Sequence, residues 1–424
     1  MSNELAIFGG KKTINKKFKP YNTIGKEEID SVAEVMKTGV LSKFLGEWSP
    51  DFYGGPKVQE FERDCEEFFQ VKHAISVNSW TSGLIATVGA IGIEPGDEVI
   101  VSPWTMTASV TAILNWNAIP VFADIEAHTF NLDIKSIEKN ISKYTKAIMV
   151  IDMFGRSSDL QSIMKIAEKY KLKVITDSAQ SPGAVHNNKY AGTYGDIGGY
   201  SLNYHKHIHT GEGGIIVTND DDLAERTRLI RNHGEAVVGD KGEKNINNII
   251  GYNFRMGEIE AAIGIEQLKK LPALVRQRQF VAEILDKGLK DLVGLNLPLN
   301  TPESSNVYYV YGMSLDLDLL PVSRDKIHAA LVAEGLGISK KFQNIHLLPI
   351  YQKKIAYGSN GFPWSSDICK REVSYAKGIC PVAEKMQDFS YLGIGLCNFD
   401  WDQKDVQLII ECFQKVWKNL DKLS

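Results

Sequence analysis

The feature that most constrains this chain is a series of short apolar segments between residues 72 and 219 that alternate with helix-patterned ones. Alternation of this kind marks βαβ units and a mainly parallel sheet, because joining parallel strands takes a crossover long enough to hold a helix. Seven segments read as strands: 74–77, 98–102, 120–123, 147–151, 173–176, 197–201 and 214–218. Most are rich in Val and Ile and short, as strands buried on both faces are. Segments 81–91, 106–116, 159–170 and 221–231 carry apolar residues three and four apart and read as helices packed on that sheet. Such a sheet builds ligand sites where strand ends turn into helices.

The 424 residues exceed the roughly 250–300 that one core serves, so a second, smaller domain is expected. A long helical stretch, 256–285, is followed by isolated strands such as 307–313 and helices such as 324–334 and 404–420. The domain change is placed near residue 275. That gives a large domain, 1–275, and a smaller α+β domain, 276–424. The N-terminal arm, 1–35, carries one helix and is expected to pack on the second domain or a partner chain. The polar, Gly/Asn-rich run 235–249 reads as a surface loop.

Lys and Arg number 48 against 52 Asp and Glu, a formal charge of −4. With no global basic field, neither nucleic acid nor an anionic membrane is an expected partner, and any bound anion must be gripped locally. The five cysteines are scattered without a CxxC pair, so neither a disulfide framework nor a zinc site is indicated. No stretch approaches the roughly 20 apolar residues of a membrane span, and the N-terminus lacks a signal-peptide core, so a cytoplasmic protein is expected.

The strand at 173–176 runs into Asp177-Ser-Ala-Gln180, placing a carboxylate at the C-terminal end of a central strand. Alone, that aspartate reads as a turn cap. Lys206 lies between the last two strands, before Gly-Glu212-Gly-Gly, and alone it reads as a solvated loop lysine. Together they suggest pyridoxal phosphate, which needs a lysine for a Schiff base and a carboxylate to keep its pyridine nitrogen protonated. A phosphate cradle is offered by Ser79-Trp80-Thr81, where the strand at 74–77 turns into a helix whose free N–H groups and dipole favour an anion; by itself the tripeptide reads equally well as an N-cap.

The order of these elements resembles the DegT/DnrJ/EryC1/StrS family over essentially the whole chain. The resemblance rests on Gly55-Pro-Lys-Val-Gln-Glu-Phe61-Glu62, Gly92-Ile-Glu-Pro-Gly-Asp-Glu-Val-Ile100, Asp177-Ser-Ala-Gln180, Lys206 six positions before Glu212, Gly251-Tyr-Asn253-Phe-Arg-Met256 with Ala261-Ala-Ile-Gly and Gln267, and His346-Leu-Leu-Pro-Ile-Tyr351. It implies a fold-type I pyridoxal phosphate enzyme of α/β class, with a mainly parallel seven-stranded sheet flanked by helices. It also implies transfer of an amino group from an amino acid, glutamate first, to a keto or aldehyde sugar, most often nucleotide-linked. Lys206 would carry the cofactor and shuttle the proton, Asp177 would pair with the pyridinium nitrogen, and Gln180 would lie beside the phenolic oxygen. Ser201 and Thr81 would hold the phosphate. Asn253 would reach it from the adjacent subunit of a homodimer. Glu212 and His346 are expected at the substrate.

Several positions depart from the family pattern. Trp80 stands where the phosphate loop has glycine. Met106 occupies the position of an aromatic ring that stacks on the cofactor, with Trp104 as a substitute. Asp152 replaces a histidine. The aromatic, Gly-rich stretch 43–55 is longer than usual and reads either as a source of substrate specificity or as a loop packing its own aromatics. His205, His207 and His209 would share one face of a strand, but no carboxylate or cysteine cluster accompanies them and no metal is expected. A few relatives place histidine at the lysine position and dehydrate their sugar; this chain keeps Lys206. Dehydration or isomerisation on the same scaffold, or a non-catalytic regulatory relative, are the competing readings.

Overall fold

The computed structural model describes residues 4–423. All seven expected strands form one sheet. They are β1 (His73–Val77), β2 (Glu98–Val101), β3 (Ile119–Phe122), β4 (Thr145–Ile151), β5 (Lys173–Asp177), β6 (Ile197–Ser201) and β7 (Gly214–Thr218), in the spatial order β1-β7-β6-β5-β4-β2-β3. Strands β3, β2, β4, β5 and β6 run parallel, and β7 lies antiparallel between β6 and β1. The β5–β6 register sets Asp177 opposite Gly199, and the β6–β7 register sets Ser201 opposite Gly214. The site residues of two strand ends and one strand start thus converge on one edge of the sheet.

The helices α1 (Lys26–Thr38), α2 (Pro56–Phe69), α3 (Trp80–Ala90), α4 (Thr107–Asn115), α5 (Ile134–Asn140), α6 (Leu160–Tyr170) and α7 (Asp221–Arg231) precede the long α8 (Glu258–Leu289). Side-chain caps fix several starts: Ser79 accepts from Ser82 N, Asp159 from Ser162 N, and Asp220 from Asp222 N and Leu223 N. The helix expected from 106 begins one residue later, because Met106 is the extended N-cap of α4. Helix α8 continues past Pro272 to Leu289.

Beyond α8, β8 (Leu295–Asn296), β9 (Val310–Leu315) and β10 (Tyr391–Gly395) form a small antiparallel sheet with α9 (Arg324–Ala333) and α10 (Gln403–Trp417) nearby in sequence. The strand expected from 307 starts only at Val310, since Tyr308 adopts a left-handed φ of 52° that no strand accommodates. Two apolar clusters result. The first holds the large sheet and α8 up to Val275; the second holds α8 from Val281, the small sheet, α9 and α10. We place the domain change in α8 between them. Two segments cross it: Ile345, Tyr351 and residues to Tyr391 join the first cluster, while Leu5 and Ile14 of the N-terminal arm join the second. The arm is tied down by Glu334, which accepts from Ala6 N and from the N–H and hydroxyl of Thr13. Helix α1 packs along α8.

A buried ion pair links three elements beneath the sheet edge. Arg231, the last residue of α7, donates to Glu62 of α2 at 2.6 Å and to the Ser76 carbonyl of β1, and Glu62 also accepts from Ser76 N and Oγ. Removing one partner of such a pair leaves an uncompensated charge, which costs about 3–5 kcal/mol. Glu62→Ala is therefore expected to lower the urea midpoint of the protein by that order of stability; a midpoint unchanged from wild type would remove the pair from the account of the fold.

Candidate active site

Asp177 is the last residue of β5 and is almost fully buried, and its carboxylate is held only by neutral donors. The Trp80 indole Nε1–H donates to Oδ1 at 2.7 Å, the Ser109 hydroxyl donates to Oδ2 at 2.8 Å, and the Ala179 N–H donates to Oδ1 at 3.2 Å. Burial pushes the Asp177 carboxyl above the ordinary aspartate value, and the Ser109, Trp80 and Ala179 hydrogen bonds pull the other way. A carboxylate has about four acceptor positions. Three are filled, leaving one on Oδ2.

Lys206 sits in the turn after β6, its N–H donating to the Asn203 carbonyl at 3.0 Å. Its side chain is 8% exposed, with Nζ 4.5 Å from the centroid of the Tyr309 ring. Burial pulls the Lys206 amine down to about 8, against the charge of Asp177, which pulls upward through space. A lysine drawn down this far holds a far larger neutral fraction near pH 7 than an ordinary lysine, and the neutral form is the nucleophile and base. Asp152, at the end of β4, is fully buried and accepts from Ser158 N and Ser178 Oγ. Burial, with added repulsion from Asp177, pushes its carboxyl up to about 6 against those hydrogen bonds. It holds the turn after β4 where the family pattern has histidine.

The anion end of the site is the N-terminus of α3. Ser79 takes the Ser82 N–H, and the Trp80 and Thr81 N–H groups stand in the first turn, where no intrahelical acceptor exists. A Cβ on Gly214 would lie 2.8 Å from Trp80 N, so only glycine lets the start of β7 approach this turn. Ser201 lies opposite Gly214; its Oγ accepts weakly from Asn203 N at 3.3 Å and its hydroxyl hydrogen is unengaged among the described residues. Gln180 accepts from Phe154 N at 2.9 Å through Oε1, which fixes the amide and leaves its Nε2 without a partner among the described residues.

The remaining expected residues divide. Met106 is 61% exposed at the start of α4. Asn253 is exposed; its Oδ1 accepts from Arg255 Nε, and its carbonyl accepts from Asn78 Nδ2, next to the α3 cap. Glu212 is exposed and accepts from Asn203 Nδ2. Trp104 does not reach the site, contrary to the stacking role expected of it. It is fully buried, stacked on Phe130 at 5.6 Å and ringed by Phe154, Phe342 and Tyr391, with Nε1 on Asn344. His346 is likewise no substrate ligand: it is fully buried, with Nε2 3.0 Å from Glu384 and its ring against Phe122. The 203–209 segment is a series of turns, not a strand, and His207 donates from Nε2 to the Val307 carbonyl at 2.7 Å. The 43–55 stretch packs its own aromatics, Trp48, Phe52 and Tyr53 meeting edge to face, and Asn232 clamps it by donating to the Leu45 and Phe52 carbonyls. Two residues that sequence reasoning passed over enter the site: Ser109, on the turn of α4 that faces Asp177, and Tyr309, beneath the Lys206 amine.

A lysine whose folded-state pKa lies below its unfolded value is destabilising when protonated. That penalty is full below about pH 8 and fades as pH rises toward the ordinary lysine value of 10.5. Lys206→Met is therefore expected to be more stable than wild type at pH 7, by on the order of 3 kcal/mol in the cofactor-free protein, with the gap closing between pH 8 and 10.5. Urea titrations at several pH values check this; a gap independent of pH would contradict it.

Residues 22–387 match the model of the DegT/DnrJ/EryC1/StrS aminotransferase family. The chain is 33% identical to the spore coat polysaccharide biosynthesis protein SpsC of Bacillus subtilis over 366 residues, 84% of this chain and 91% of the relative. It is 35% identical to GDP-perosamine synthase of Caulobacter vibrioides over 325 residues, 76% and 84% of the two chains. Its fold superposes on the X-ray structure of the aminotransferase from Psychrobacter cryohalolentis with a TM-score of 0.81 at 25% identity, covering 96% of this chain and all of that one. The chain belongs to the DegT/DnrJ/EryC1/StrS aminotransferase family.

Proposed function

We propose that this protein transfers an amino group from an amino acid, glutamate in the first instance, to the carbonyl carbon of a keto or aldehyde sugar, using pyridoxal phosphate held between Asp177 and Lys206. The observation that carries the reading is the pairing of a buried carboxylate with one open acceptor position and a buried lysine whose amine is drawn down to about 8. The donor set fits the cofactor. Thr81, Ser201 and the first-turn N–H groups of α3 suit its phosphate, Gln180 Nε2 suits its phenolic oxygen, and the open lone pair of Asp177 Oδ2 suits a pyridinium N–H. That a GDP-perosamine synthase and a polysaccharide biosynthesis protein are relatives favours a sugar acceptor, nucleotide-linked in the first instance.

When bound, the cofactor supplies a carbonyl that takes up the amino group and a ring that disperses negative charge from the adjacent carbon. Asp177 keeps the ring nitrogen protonated, which it can do only while ionised. Lys206, as a neutral amine, would take the proton from the donor's α-carbon and deliver it to the cofactor carbon that keeps the amino group, and in the second half would carry a proton from that carbon to the sugar carbon that receives the nitrogen. The α3 N-terminus anchors the phosphate so that the lysine meets the same atom in both directions. We further propose that the working form is a homodimer in the cytoplasm, with Asn253 serving the neighbouring site. Met36, Val40, Leu41, Leu45 and Trp48 are all exposed along α1 and the following loop, an apolar strip suited to a second copy. Among the described residues no helix is long and apolar enough to cross a membrane.

Purified protein supplied with pyridoxal phosphate is expected to develop a visible absorption band that Lys206→Ala abolishes, and borohydride is expected to fix the cofactor on the Lys206 peptide. Asp177→Asn is expected to lose about 10²–10³ in kcat. The aminated form, mixed with a panel of keto and aldehyde sugars, should yield an amino sugar. A deoxy product without nitrogen would overturn transamination in favour of dehydration, and a protein that takes up no cofactor would overturn both.

A further inference from the structure

Trp80 combines two placements that its position in the chain does not foretell. Its backbone is the first residue of α3, in the turn suited to the phosphate, while its side chain turns inward, is 5% exposed, and reaches the opposite end of the site at Asp177. Room for the indole is made by glycines. A Cβ on Gly199 would come within 2.4 Å of the ring and a Cβ on Gly83 within 2.7 Å. Gly199 is the β6 residue paired with Asp177, so the ring lies against the strand next to the carboxylate it contacts. Trp80, Gly83 and Gly199 form a matched set whose product is a single directed hydrogen bond.

We propose that Trp80 is a positioning residue for Asp177, its indole N–H and the Ser109 hydroxyl together orienting the carboxylate and keeping it ionised so that the cofactor's pyridine nitrogen meets a carboxylate and not a carboxylic acid. This rests on the functional reading above. Among the described residues no cation is hydrogen-bonded to Asp177, so the burial that drives it toward protonation is offset first by the neutral Ser109, Trp80 and Ala179 donors and, through space, by the charge of Lys206. The indole N–H and the Ala179 N–H saturate Oδ1, and Ser109 occupies half of Oδ2. The remaining lone pair is thereby aimed by exclusion. Loss of the indole N–H frees Oδ1 and lets the carboxyl rotate and bind a proton.

The test uses the cofactor-loaded full-length protein with Trp80→Phe, and in parallel Trp80 replaced by benzothienylalanine, which keeps the shape of the indole and lacks only the N–H. Ser109→Ala serves as the second donor deletion. The expected result is a folded protein whose cofactor affinity by equilibrium dialysis is within about threefold of wild type. The pH at which its visible band titrates, and the acid limb of its kcat profile, should rise by about one pH unit, with kcat about tenfold lower and KM for the amino donor little changed. Trp80→Phe with Ser109→Ala should shift both further than either alone. A folded, loaded variant with the wild-type spectral titration and kcat would overturn the proposal, as would an equal loss in affinity and kcat with no pH shift, which is what a purely structural role gives. If Trp80→Phe fails to fold, the benzothienyl form decides. A wild-type protein that shows no cofactor band at all would instead overturn the functional reading.

Discussion

The site depends on a carboxylate buried at the end of a central strand with no cation in contact with it among the described residues, Lys206 acting on it only through space. Asp177 is kept in that position by three neutral N–H and O–H donors contributed by α3, α4 and its own turn. A carboxylate in that state is unstable toward protonation and attracts any positive group that can reach its open lone pair. Lys206 supplies the opposite half of the arrangement, an amine whose burial disfavours its charge. Two groups whose environments each disfavour ionisation feel one another through space, and a protonated ring nitrogen at Asp177 would satisfy the first while lowering the charge preference of the second. The sheet order serves this, since β5, β6 and β7 are adjacent and bring Asp177, Ser201 and Gly214 to one edge.

Much of this was legible in the sequence, for reasons tied to particular residues. Most strands buried on both faces show as short Val/Ile-rich runs, while β1 and the Gly-containing β6 are marked by their place in the alternation with helices; β1 to β7 fall within a residue or two of the expected segments, and the caps Asp159 and Asp220 announce their helices. Asp177 stands out in the sequence because it closes a central strand, where open α/β sheets place ligands, and Lys206 only through its company with Asp177, since alone it reads as a loop lysine. What failed was side-chain direction. Trp104 and His346 sit in motifs near the site, yet each turns into an aromatic or polar core where a single partner, Asn344 or Glu384, satisfies its nitrogen. Position along the chain does not encode that turn. Tyr309 and Ser109 were invisible for the complementary reason: one lies in a run of tyrosines and the other on an ordinary helix, and only tertiary contact distinguishes them.

The departures from the family pattern acquire physical meaning once placed. Asp152 holds Ser158 and Ser178, tightening the turn that carries Phe154 to Gln180. The 43–55 stretch spends its aromatics on itself and on Asn232, while Leu45 and Trp48 stay exposed. Trp80 occupies a glycine position because two other glycines vacate the space its ring needs. The tryptophan leaves the helix N–H groups free of side-chain partners and adds a donor to the carboxylate.

The central claim is that Asp177 is ionised in the loaded protein and holds a proton on the cofactor's ring nitrogen. Nitrogen-15 NMR of the protein reconstituted with pyridoxal phosphate labelled at that nitrogen reads this directly. The account predicts the chemical shift and one-bond coupling of a protonated pyridinium at neutral pH, lost in Asp177→Asn; an unprotonated ring nitrogen in the wild-type protein would contradict it.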